Sequence, residues 1–292
     1  MSEITQPTRR LDQFQQVRTL PAPRRKRSRF WLLSFLALVL VYFIAPLRTN
    51  ILLLGTDDSP ERGAVGRTDT IILTTIVPLR PYVGMLSIPR DLWVTIPDVG
   101  KQRINTAYFF AEANQPGSGA RATMQTIRDN FGVPVHYYAV IHMYGLSSAV
   151  DALGGVDIYL DESTGGLPAG THHLNGLDAL AFARERGSSD DFSRMQRAQI
   201  LISAGFIKAL RPSNWRALPQ FIFSLLQVIN TNIPLWQLPR LLFALLRSVF
   251  FGVDSQTITR DMVTPFQTAA GAQVLAPNWE VINPLLKDMF GK

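Results

Sequence analysis

Acidic residues border short apolar runs at three places, at the last two with an arginine beside them: Gly55-Thr56-Asp57-Asp58, Gly66-Arg67-Thr68-Asp69-Thr70, and Ser87-Ile88-Pro89-Arg90-Asp91. Further on, Arg184 and Arg186 form an Arg-x-Arg step, which in an extended segment sends both guanidiniums to one side. Arg194 and Arg197 lie three apart at the start of a helical pattern opened by Asp190-Asp191, where unpaired backbone N–H groups also favour an anion. If these six arginines converge, their natural ligand is a phosphate or pyrophosphate, because guanidinium forks match phosphate oxygens and do not deprotonate. Two aspartates in the same cleft would hold a hard divalent cation, with magnesium the natural choice. Each feature taken singly has a plainer meaning. An arginine beside an aspartate is usually a surface ion pair, GRTDT can be an Asp-capped loop before a strand, and Arg194 and Arg197 can line a solvated helix face.

Other chemistries lack their residues. The 292-residue chain has no cysteine, which removes disulfides, thiolate nucleophiles and zinc–cysteine sites. Its four histidines, His136, His142, His172 and His173, make no HExxH pair, so any metal must rest on carboxylates. No GxSxG elbow, GxxxxGK[ST] phosphate loop or GxGxxG turn is present.

The elements that would carry these side chains alternate. Apolar runs predict strands at Ile51–Leu54, Thr70–Val77, Val83–Ile88, Leu92–Ile96, His136–Ile141 and Val156–Leu160. Helical patterns cover Asn105–Ala113, Gly119–Phe131, Tyr144–Leu153, Asn175–Ala183, Phe192–Leu210, Gln220–Ile229 and Leu235–Val249. Alternation of this kind predicts an α/β fold, a three-layer α/β/α sandwich around a mixed central sheet, with ligands at the strand ends. In Leu235–Val249 an apolar stripe through Leu238, Leu241, Leu242, Leu245, Leu246 and Val249 reads as a core helix, with a lipid groove as the alternative, and Arg240 and Arg247 are expected on the surface.

Charge and hydropathy divide the chain. Residues 1–29 carry eight Lys or Arg against Glu3 and Asp12, so all but one of the seven net positive charges lie there. The stretch Phe30–Leu47 is uncharged and as a helix would reach roughly 27 Å, enough to cross a bilayer. The expected organisation is a basic cytoplasmic tail (1–29), a transmembrane signal anchor (30–47) and an exported catalytic domain (48–292), with the protein single-pass in the cell membrane and its N-terminus cytoplasmic. A tail this short and irregular makes no DNA-binding fold, and the remainder is nearly neutral, so no nucleic-acid partner is expected.

The strings GTDD, GRTDT, MLSIPRD, INTAY, VDALGGVDIYL, LNGLDALAFARER and DFSRMQR, in this order from Ile51 onward, resemble the LytR-CpsA-Psr family. The resemblance implies an anchored, exported α/β/α domain that moves an anionic glycopolymer, such as a teichoic acid, from an undecaprenyl-pyrophosphate carrier to a peptidoglycan hydroxyl as a phosphodiester. It implies that Asp57 and Asp69 hold magnesium and that Arg67, Arg90, Arg184, Arg186 and Arg194 grip the pyrophosphate, with Arg197 and Gln199 as further substrate contacts. Asp91 or a metal-binding aspartate is the general-base candidate. Ala198 stands where the family often has Gln, with Gln199 after it, and Asp58 and Ser59 follow Asp57 where an arginine is usual. Two other functions fit the same residues: hydrolysis of a polyprenyl pyrophosphate, and non-catalytic binding of such lipids at the cell surface.

Overall fold

The apolar run at Ile51 forms the middle of β1 (Thr49–Thr56), in a computed structural model that describes residues 27–44, 48–56, 66–78, 82–185 and 191–291. Around β1 lie β2 (Thr68–Val77), β3 (Tyr82–Ser87), β6 (Tyr137–His142), β9 (Ile229–Thr231) and β10 (Asp254–Thr257), in the order β10-β3-β2-β1-β6-β9. The sheet is mixed: β1 runs parallel to β6 and β3 parallel to β10, while the other neighbours are antiparallel. Hairpins β4–β5 (Trp93–Ile96, Gly100–Arg103), β7–β8 (Val156–Leu160, Gly170–Leu174) and β11–β12 (Val263–Gln267, Gln273–Pro277) stand outside it.

Strand alternation explains why both faces are covered. Leu52, Leu54, Ile71, Leu73, Leu86 and Val140 pack against α2 (Thr106–Asn114), α3 (Gly119–Phe131) and α9 (Trp279–Phe290). Ile51, Ile76 and Val83 point the other way, onto Leu241 and Ala244 of α8 (Leu238–Phe251). A smaller core joins α4 (Met143–Ala152), β7, β8, α5 (Gly176–Arg184) and α6 (Asp191–Leu210) through Val150, Ile158, Leu174, Phe182 and Leu201.

Several expectations change. Leu235–Val249 is a 3-10 turn followed by α8, because Pro239 fits only the first turn of a helix. Its Leu241 is buried while Leu238 and Leu242 stay exposed, and Arg240, expected at the surface, is buried. Arg184 is helical, the last residue of α5, so the extended reading of the Arg-x-Arg step does not hold there; Arg186 lies outside the described residues. β10 to β12 and α9 were not anticipated, since β10 (DSQT) is polar and α9 contains Pro284.

The N-terminal unit, which ends at Tyr42, holds all but the last two residues of α1 (Arg27–Ile44), whose Trp31, Phe35 and Leu38 are 65 to 70% exposed. Among the described residues no helix is long and apolar enough to cross a membrane, and residues 45–47, which complete the expected span, lie outside them.

Candidate active site

Parallel pairing sets where the motifs meet. β1 and β6 end together at Thr56 and His142, β2 begins beside them with Thr68 opposite Thr56, and β3 ends nearby with Ser87 opposite Ile72. Thr56 is the residue before Asp57, which lies outside the described residues, and Thr68 is the residue before Asp69. The carboxyl ends of β1, β3 and β6 therefore share one rim with the start of β2, where an α/β sheet binds its ligands.

On that rim Arg90 Nη1 donates to Asp69 Oδ1 at 2.8 Å, and Arg90 Nε lies 3.6 Å from Asp91 Oδ2. Asp91 in turn accepts from Arg103 Nη1 at 3.1 Å, so it orients Arg90 and is itself held. The Pro89-Arg90-Asp91 turn is pinned through its backbone: the Asn105 N–H donates to the Arg90 carbonyl at 3.2 Å and the Leu275 N–H to the Asp91 carbonyl at 3.1 Å. Arg67 is exposed, with its guanidinium 5.6 Å from the centre of the Phe109 ring on α2. That stacking keeps the cation at the rim without neutralising it.

The oxygens here suit a hard cation. Asp69 supplies a partly exposed carboxylate, and the Oδ1 of neighbouring Asn105 is buried with no hydrogen-bond partner. No group of three His, Cys, Asp or Glu gathers among the described residues, so an ion would need Asp57 as well.

α5 and α6 bring the remaining arginines. Asn175 caps α5, its Oδ1 accepting from the Asp178 N–H at 2.9 Å. Gly176 lets α5 lie against α4: a Cβ there would collide with the Ser147 carbonyl, and the Gly176 N–H donates to Asp151 at 2.7 Å. Exposed Arg184 ends this helix.

α6 is fastened at two points. Gln199 Nε2 donates to the Gln256 carbonyl of β10 at 2.9 Å and reaches the Met85 carbonyl of β3 at 3.4 Å. Arg197 is fully buried, and its Nη2 donates to the Glu185 carbonyl at 2.7 Å. Burial pushes this guanidinium below its ordinary pKa and the Glu185 charge pulls it partly back. Arg194 occupies the first turn of α6.

A match to the LytR_cpsA_psr family covers residues 46–283. The chain belongs to that family. It is 36% identical over 248 residues to an Oceanobacillus iheyensis protein named polyisoprenyl-teichoic acid--peptidoglycan teichoic acid transferase TagU, covering 83% of this chain and 75% of that one. A Bacillus cereus protein of the same name is 33% identical over 63% of this chain and 60% of its own length. Among solved structures, B. subtilis TagV superposes with a TM-score of 0.68 at 25% identity, covering 84% of this chain and 98% of that one. These likenesses agree with the mixed sheet and flanking helices of this LytR-CpsA-Psr chain.

The sequence reading missed Arg103, Phe109 and His142 at the rim. His142 Nδ1 lies 3.2 Å from the Thr56 hydroxyl, so an imidazole closes the site on the β6 side. A histidine at a strand end, directly before a helix, was the available signal.

Proposed function

We propose that this protein is a phosphotransferase that moves a teichoic-acid-like glycopolymer from a polyisoprenyl-pyrophosphate carrier to a peptidoglycan hydroxyl, forming a phosphodiester. The observation that carries the reading is the gathering of Arg67, Asp69 and Arg90 on the sheet rim of a chain whose relatives are named as such transferases.

The acceptor hydroxyl attacks the phosphorus on the glycopolymer side, the bond to the bridging oxygen breaks, its electron pair leaves with polyprenyl phosphate, and the hydroxyl proton passes to solvent or to the departing phosphate. No protein nucleophile is needed when the hydroxyl is held in line. Arg67 and Arg90 stabilise charge growing on the phosphate oxygens, with Arg184, Arg186 and Arg194 completing the cradle. Asp91 keeps the Arg90 fork turned toward the site, Arg197 fixes the segment that follows α5, and Gln199 fixes α6 to the sheet. Asp69 with Asp57 would hold magnesium, which would neutralise pyrophosphate charge. The same reading makes residues 30–47 a membrane anchor with the active domain outside the cell, next to a lipid-linked donor; the exposed apolar surface of α1 supports it.

Purified protein supplied with lipid-linked donor and peptidoglycan tests this. Asp69→Ala and Arg90→Ala should each lower transfer by about 100-fold or more. Both side chains are about 30% exposed, so neither loss should unfold the domain. Release of free phosphorylated glycan at the same rate with or without peptidoglycan would identify a hydrolase, and transfer at the wild-type rate by both variants would end the proposal.

A further inference from the structure

An apolar stripe runs from the 3-10 turn Leu235–Gln237 into α8. Leu241 and Ala244 face the sheet and are buried, whereas Leu235, Leu238 and Leu242, three and four residues apart, line the outer side with Trp236 beside them. Leu235 and Trp236 are 80 and 61% exposed, large apolar side chains that gather on a surface where something is to be bound. The 14 residues of α8 reach roughly 21 Å, short of a hydrocarbon core of about 30 Å, so this helix can lie on a bilayer but cannot cross one.

Position and charge say what covers the stripe. Phe43, the first residue of the second unit, meets Phe243 of α8 edge to face with ring centroids 5.4 Å apart, and the Arg247 guanidinium lies 5.7 Å from the centre of the same Phe243 ring. Phe43 belongs to the expected anchor stretch, so α8 stands where that stretch joins the folded unit. Asp and Glu supply 22 of the 292 residues, yet none occurs from Phe192 to Val253, a segment with seven Lys or Arg. Two of these, Arg211 and Arg216, are exposed on either side of exposed Trp215. Exposed leucine and tryptophan in a basic segment without acids are the composition of an interfacial helix on anionic lipid. A second copy of this chain would set two basic segments against each other.

We infer that the outer side of α8 rests on the anionic surface of the bilayer, so that the domain docks on the membrane through α8 in addition to its anchor. The inference rests on the anchor reading for the meaning of Phe43, whereas the stripe and its charge stand on α8 alone. Docking leaves the rim open. Leu241 and Ala244 cover Ile51, Ile76 and Val83, at the end of the sheet away from Thr56 and Thr68.

The chain has no cysteine, so single-cysteine variants carry a nitroxide label at one known place. Leu235→Cys and Leu242→Cys label the stripe, and Val281→Cys labels an exposed position of α9, on the opposite face of the sheet. All three side chains are exposed, so labelling spares the packing. In the full chain reconstituted into vesicles of phosphatidylcholine and phosphatidylglycerol, the two α8 labels should lose collisions with a water-soluble nickel chelate and gain them with oxygen, while the α9 label stays open to nickel. Nickel access at both α8 positions equal to that at Val281 overturns the inference. Spin–spin broadening without a gain in oxygen access also overturns it, by placing a second copy on the stripe. Carbonate extraction of the same vesicles keeps the two readings apart. Protein that resists it with α8 labels open to nickel refutes docking and keeps the anchor, while protein that it strips, after the labels were shielded, refutes the anchor and keeps α8 as the docking surface.

Discussion

His142 shows how little a side chain needs in order to matter at this rim. Its Nδ1 and the Thr56 hydroxyl tie the ends of β1 and β6, at the residue that precedes Asp57 in the sequence. That contact makes it a positioning residue, and the conservative variant separates this role from proton transfer. His142→Asn keeps an acceptor where Nδ1 was and should retain transfer, while His142→Ala should lower kcat by about 10- to 100-fold, the cost of a small misplacement. Equal losses in both variants would instead assign the imidazole to acid–base chemistry. At this scale the sequence was legible in part. Arg67, Asp69 and Arg90 were readable because each borders an apolar run whose end must reach a rim. Arg197 and Gln199 were readable as important but not in what they touch, since a buried guanidinium on the Glu185 carbonyl depends on how two helices pack.

Among the elements, β1 and β6 are locked at their other ends by His136. Its Nδ1 accepts the Asn50 N–H at 2.9 Å, and the His136 backbone N–H donates to the Asn50 carbonyl at 2.9 Å. Burial, with the Arg128 charge adding to it, holds the His136 pKa below its usual value near 6.5. The unfolded chain therefore takes up this proton first as pH falls. The contribution to stability is complete above about pH 6.5 and declines below it, by at most about 1.4 kcal/mol per pH unit. Urea unfolding at pH 7.5 and 5.5 should show a larger drop for the wild type than for His136→Asn, which accepts the same bond without titrating. Equal drops would remove His136 from the account. Three of the strands that escaped the sequence reading share a cause. β5 (GKQR), β9 (INT) and β10 (DSQT) have no apolar alternation, and only a neighbouring strand makes them strands.

For the whole molecule, the division after Tyr42 falls two residues before the end of α1, with the sheet and its helices in the second unit. On the proposed anchor reading, the exposed apolar side chains of α1 would lie in lipid and the basic residues of the N-terminal segment on the cytoplasmic side. The full chain should sediment with membranes, resist alkaline carbonate and come off with detergent. Removal of residues 1–47 should leave a protein that stays in solution with an unchanged fold. Release by carbonate alone would refute the anchor. The order of the motifs and the strand ends that carry Asp69 and Arg90 were determined by the sequence, because turns and short apolar runs are local properties. Only the tertiary structure decided that Arg90 pairs with Asp69, that Arg240 is buried, and that the polar segment Asp254–Thr257 becomes an edge strand of the central sheet. Each of these depends on which distant segments become neighbours, and no local pattern encodes that.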